Sequence, residues 1–214
     1  MNIKSEISRQ FQSLRSVFIF LQIPAGIILF LLLFLKLKFD IDTEDLTRDV
    51  NALAGLPPYA GIVSNLGVLF WCASATVSLF AGLIGKRKGL SIESFLIYSG
   101  ILSVVLMLDD LFLLHEEVFP ENLHIPEKLV FAIYGILAVA IFFQHRKIIL
   151  STNYLILLTC TMFLGLSVFV DVFFNDFRGE DLVEDGAKII GIMTWFGYYA
   201  TLGYETIKQK ISVT

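Results

Sequence analysis

Six stretches of this chain are apolar over lengths that suit the inside of a lipid bilayer. They cover about 17–36, 61–84, 91–114, 128–145, 150–174 and 187–207. A helix rises about 1.5 Å per residue and the hydrocarbon core is about 30 Å thick, so about 20 residues make one crossing. Lipid offers no partner to backbone N–H and C=O groups, so each crossing has to be a helix that satisfies its own hydrogen bonds. The fold class expected is therefore all-α: a polytopic integral membrane protein, a six-transmembrane-helix bundle that forms one domain over residues 1–214. The fourth segment is the weakest. Its strictly apolar part, Leu129 to Phe143, has 15 residues and spans only about 22 Å. It must recruit its flanks or sit in a thinned region of the bilayer.

Composition agrees with this reading. Hydrophobic residues make up 56% of the 214, and 20 residues are Phe, more than a water-soluble core of this size calls for. Lys4, Arg9 and Arg15 precede the first apolar run in the manner of a signal peptide. That run is too long for one and no small-residue cleavage site follows it, so it reads as an uncleaved first span. Cys72 and Cys160 each fall midway along an apolar segment, which suits small buried hydrophobes better than a disulfide.

Orientation follows from the basic residues. In a six-span model the N-terminus, the loops 85–90 and 145–149 and the C-terminus lie on one side and hold 10 of the 16 Lys and Arg residues. That side is read as cytoplasmic, so both termini are cytoplasmic, in the plasma (inner) membrane. The other side carries 17 of the 20 acids, every one except Glu6, Glu93 and Glu205. Its first loop, 37–60, is expected to form a short amphipathic helix from Thr43, capped by Asp42, with Leu46, Val50 and Leu53 on one face and Gly55 at its end.

The sharpest chemistry is in VVLMLDDLFLLHEEVFP, residues 104–120. Ionisable groups at membrane depth are expensive and default to a functional reading. On an uninterrupted helix Asp109 and Glu116 fall on one line and Asp110 and Glu117 on another beside it, while His115 points well away. Asp171 in the fifth span lies at the same expected depth. Glu184 precedes the sixth span with Lys188 at i+4, the favourable order for a helical ion pair, and Asn65 in the second span could complete the polar set. The competing reading is that the third helix leaves the bilayer near Asp109, about 28 Å along from Leu90, and that water solvates the acids. The apolar run from Leu111 to Leu114 argues against it.

Carboxylates this close need a cation, a basic side chain or bound protons. The metal-ligand set expected is Asp109, Asp110, Glu116, Glu117, Asp171 and Glu184, with His115, Asn65 and Lys188 as further polar groups. Oxygen donors of this kind suit Ca²⁺, Mg²⁺ or Mn²⁺, with iron behind them. The chain has no G-x-S-x-G, no H-E-x-x-H, and Leu113 where a DDxxD motif needs its third acid. Two functions fit. The first is a non-enzymatic multi-pass protein (a sensor, permeation unit or assembly subunit) whose acidic outer site binds a divalent cation or a basic partner. The second is a metal-dependent membrane enzyme resembling a lipid hydrolase, working at the outer leaflet. Expected partners are membrane lipid and either a second copy of the chain or another membrane protein. Nucleic acid is excluded because the basic residues sit in short, separated groups.

Overall fold

The structure, a computed structural model, describes residues 3–84, 91–174 and 179–211. Among them the helices are α1 (Ile3–Phe39), α2 (Thr43–Thr47), α3 (Val50–Ala54), α4 (Ile62–Ile84), α5 (Ile92–Phe112), a π-helical segment (Leu114–Asn122), α6 (Glu127–Gln144), α7 (Arg146–Ile149), α8 (Tyr154–Phe173) and α9 (Glu180–Ile211), with no strand. Among the described residues, five stretches are long and apolar enough to cross a membrane: Leu21–Phe39, Ile62–Ile84, Ile92–Phe112, Glu127–Gln144 and Tyr154–Phe173. The protein is therefore all-helical, with the long apolar helices of a membrane bundle. The basic loop 85–90 and Asp176 lie outside the described residues.

The chain divides into two compact units, Met1–Ala60 and Gly61–Thr214. In the first, α1 exposes apolar side chains such as Leu29, Phe30 and Leu37. The expected amphipathic helix after it is broken in two. Asp42 makes no side-chain cap, whereas Asp49 accepts a hydrogen bond from the Ala52 N–H at 3.2 Å and starts α3 afresh. An N-cap residue has extended backbone, so a cap at Asp49 interrupts the helix there. Leu46, Val50 and Leu53 are accordingly exposed on two separate turns. Gly55 closes α3 at φ 67°, the left-handed conformation glycine adopts without penalty.

The second unit is built on close helix contacts made by small residues. A Cβ on Gly191 of α9 would meet Leu164 of α8 at 2.8 Å, and one on Gly100 of α5 would meet Leu79 of α4 at the same distance. Where no hydrophobic effect drives helices together, such contacts let backbones approach and gain dispersion energy. The expected sixth segment, 187–207, lies inside α9 but is not apolar enough to appear among the five above, because Gly, Thr, Trp and Tyr dilute it. Its position explains the composition. Ile192, Trp195, Tyr198, Tyr199 and Leu202 are all buried in the protein core rather than facing outwards. Packing thus joins α5 to α4, α4 to α9 and α9 to α8, while α6 is held mainly by α5 and the π-helical segment. Cys160 is buried and Cys72 exposed, both as free thiols, so Cys72 is not the buried residue expected.

Gly191→Ala should destabilise the detergent-solubilised protein by about 1–3 kcal/mol through overpacking. Gly197→Ala on the same helix meets nothing within 4 Å and should be neutral or mildly stabilising. Thermal unfolding of the two variants checks the contrast.

Candidate functional site

The third apolar helix does not run straight through its acids. At Leu113 the backbone turns left-handed (φ 51°, ψ 42°), ending α5, and the chain continues as a π-helix over Leu114–Asn122 with Pro120 inside it. A leucine in this conformation costs roughly 1–2 kcal/mol, and π-helical segments concentrate at functional sites. The bend corrects the expected geometry. The i, i+7 alignment of Asp109 with Glu116 and of Asp110 with Glu117 requires an unbroken α-helix, which this segment is not. His115, expected to point away, is instead buried and hydrogen-bonded through Nδ1 to Asp109 Oδ2.

Each carboxylate oxygen at this point has a named partner. Asp109 also accepts from the Tyr134 hydroxyl at 2.7 Å through Oδ1. Asp110 accepts from the Trp71 indole N–H at 2.9 Å through Oδ2, and its Oδ1 lies 2.9 Å from Lys188 Nζ. The other nitrogen of His115, Nε2, stands 3.3 Å from Glu116 and 3.9 Å from Glu127. Burial works against the imidazolium, but the hydrogen bonds to Asp109 and Glu116 outweigh it, so the His115 pKa rises to about 9. The hydrogen bond from His115 in turn holds the Glu116 carboxyl below its usual range. The buried Asp109 and the partly buried Asp110 are thus matched by two bases, the condition for keeping charge where water is scarce.

Beside these pairs lies a cavity of about 510 Å³, within the roughly 300–1,000 Å³ usual for small-molecule sites. Its polar end is lined by Asp109, Asp110, His115, Asp171, Glu184 and Lys188, and the rest is largely apolar. Burial, then the neighbouring Asp171 and Asp185, push the Glu184 carboxyl up to about 7. Asp109 of α5 and Asp171 of α8 therefore share one cavity. Lys188 pairs with Asp110 rather than with Glu184. Asn65 is exposed near the start of α4, and Glu117 is exposed on the π-helical segment; neither lines the cavity. Among the described residues, Asp109, Asp110 and His115 offer ligand atoms within 4.8 Å of one another, a group that could hold a metal ion.

Three participants escaped the sequence reading: Tyr134, Trp71 and Glu127. Their signal was faint. Tyr134 is a lone hydroxyl in the weakest apolar segment, and Trp71 is an indole donor at mid-helix, where a partner is usual once it is buried.

A helical membrane-type fold with a charge-paired, carboxylate-rich cavity defines the class. Residues 23–202 match the family described as a domain of unknown function, DUF8692, and the chain belongs to that family. No curated protein and no solved structure matches the chain.

Lys188→Met leaves Asp110 without its counter-ion and should lower stability by up to about 3 kcal/mol, read by thermal unfolding. The His115 pair gives a pH signature. An unfolded imidazole titrates near pH 6.5, so the stabilisation is fully present below that value and is lost as pH rises through about 9. The wild-type melting temperature should fall over this window, and His115→Gln should flatten the fall.

Proposed function

We propose that the chain is a non-enzymatic multi-pass membrane protein, with six spans and both termini cytoplasmic, that holds a positively charged group at an acidic extracytoplasmic site. The supporting observation is the lining of one cavity by four carboxylates, Asp109, Asp110, Asp171 and Glu184, and two bases, His115 and Lys188. With all of them ionised, two negative charges are left over, and an added cation balances them. The local geometry favours an organic or side-chain cation over a divalent metal. Lys188 already occupies Asp110, and His115 keeps its proton at neutral pH. To ligate a metal or act as a general base it would first have to give up that proton. A sensor, a permeation unit or an assembly subunit would each use such a site.

A second reading, a metal-dependent membrane enzyme acting on lipid, draws on the closeness of Asp109, Asp110 and His115. It requires His115 to lose its proton and Lys188 to swing aside.

Melting temperatures of the full chain in detergent at low ionic strength separate the two. Methylammonium should stabilise the protein at pH 7.5, by about 2.7 kcal/mol at 100 times its dissociation constant. The effect should shrink in Asp171→Asn and in Glu184→Gln, and below pH 7, where Glu184 takes up a proton. Stabilisation by Ca²⁺, Mg²⁺ or Mn²⁺ instead would transfer the site to the metal reading, and no response to any of these cations would remove both.

Topology has its own test. In a Cys72→Ala, Cys160→Ala background, a cysteine placed by Asp49→Cys should react with an impermeant thiol reagent from outside sealed cells. Labelling from the cytoplasmic side alone would reverse the orientation.

A further inference from the structure

The cavity is open along the side of the bundle, and that opening bears on where its ligand comes from. Packing runs from α6 through α5, α4 and α9 to α8, which leaves α6 and α8 as the two ends of an open series. The cavity lies between those ends. Gly135 of α6 and Gly165 of α8 both line it, and a Cβ on either would meet nothing within 4 Å. Gly135 and Val139 also line an exposed apolar groove on α6 together with Ile136 and Phe143, so the cavity is continuous with a surface of the kind that faces lipid. At the acidic end the gap is crossed, because Lys128 Nζ donates to the Val172 carbonyl at 3.3 Å. The opening is therefore alongside the apolar part, below the charges.

The cavity is also amphipathic along its length. Asp109 lies seven residues from Leu102 on α5, and Lys188 lies seven residues from Trp195 on α9; all four line the cavity. Seven residues of helix span about 10 Å, so the apolar floor lies about that far below the charged end. Trp71 and Trp195 form part of the wall with ring centroids 5.6 Å apart, and both are buried.

We infer that the cationic ligand is a single-chain amphiphile with an amine head group, taken from the bilayer between α6 and α8. Its ammonium meets the surplus carboxylates at the acidic end. Its chain lies in the apolar part and leaves through the gap. This rests on the cation-binding reading above and deepens it, since it names the ligand class and the route of entry. An apolar chain gains little by moving from lipid into a pocket of similar polarity, so selectivity falls to the head group, where charge complementarity decides.

The two tryptophans, which are the only ones in the chain, supply the readout. The probe is a long-chain primary amine brominated along its chain, added to the full-length protein in zwitterionic lipid nanodiscs at pH 7.5. The expected result is saturable quenching of tryptophan fluorescence, at least tenfold weaker with the brominated alcohol of the same chain. Gly135→Leu and Gly165→Leu fill the gap where there is room for a side chain. Each should raise the half-quenching concentration at least tenfold while leaving the methylammonium-induced rise in melting temperature in place, which also shows that the variants fold. Equal quenching by amine and alcohol would overturn the head-group assignment. Methylammonium stabilisation with no specific quenching by the amine would overturn the amphiphile and leave the cation site standing. Absence of both responses would remove the two readings together.

Discussion

The pairing of Asp109 with His115 and of Asp110 with Lys188 is the interaction on which the rest of this unit depends. An ionised carboxylate taken out of water without a partner costs several kcal/mol, and a matched, hydrogen-bonded one costs far less. The pairing reaches across the fold: the aspartates are on α5, the histidine on the π-helical segment, the lysine on α9, and the neutral donors Trp71 and Tyr134 on α4 and α6. Four helices and the bend are thereby fixed in one relative arrangement by directional contacts. Apolar packing alone would leave more freedom, since one leucine replaces another in lipid at little cost.

The bend at Leu113 serves that arrangement. An uninterrupted α-helix would carry His115 away from Asp109, and the aspartate would then be buried with the tyrosine hydroxyl as its partner on α6. The left-handed residue and the wider π-helical turn interrupt the α-helical progression, and the imidazole meets the carboxylate. The conformational cost at one leucine is offset by the ion pair it makes attainable, an exchange common where a backbone strain and a functional group coincide.

What the sequence made legible divides along the same physical line. Long apolar runs report helix existence directly, because a bilayer leaves no alternative, and the structure has helices over each expected segment. The acids at 109, 110, 171 and 184 were likewise visible as charges in apolar surroundings. Directions were not. The helical wheel placed His115 on the wrong side because nothing local announces a left-handed leucine. The i, i+4 rule matched Lys188 to Glu184, although Asp110 on another helix, with its side chain only 9% exposed, is the acid that Lys188 reaches. Asp49 split the expected loop helix for a reason that is local, its own side-chain cap, but capping by Asp42 was equally plausible on sequence. Contacts between distant segments, such as Tyr134 with Asp109, leave no trace in spacing at all.

The light anchorage of α6 sets it apart from its neighbours in how the protein opens. Along its apolar stretch only 6% of the residues are buried, against 39% for the stretches of α4 and α5. Proteins do not loosen uniformly, and elements with few buried contacts detach at a fraction of the free energy that global unfolding takes. Here α6 is such an element, tethered by Tyr134 to Asp109 and by Lys128 to α8. Its excursions should form a sub-global opening that amide exchange registers as a separate, faster class, while the α5–α4–α9–α8 series stays closed. Within the unit Gly61–Thr214, the helix that is weakest as an apolar segment is then the one whose motion is expected to cost least.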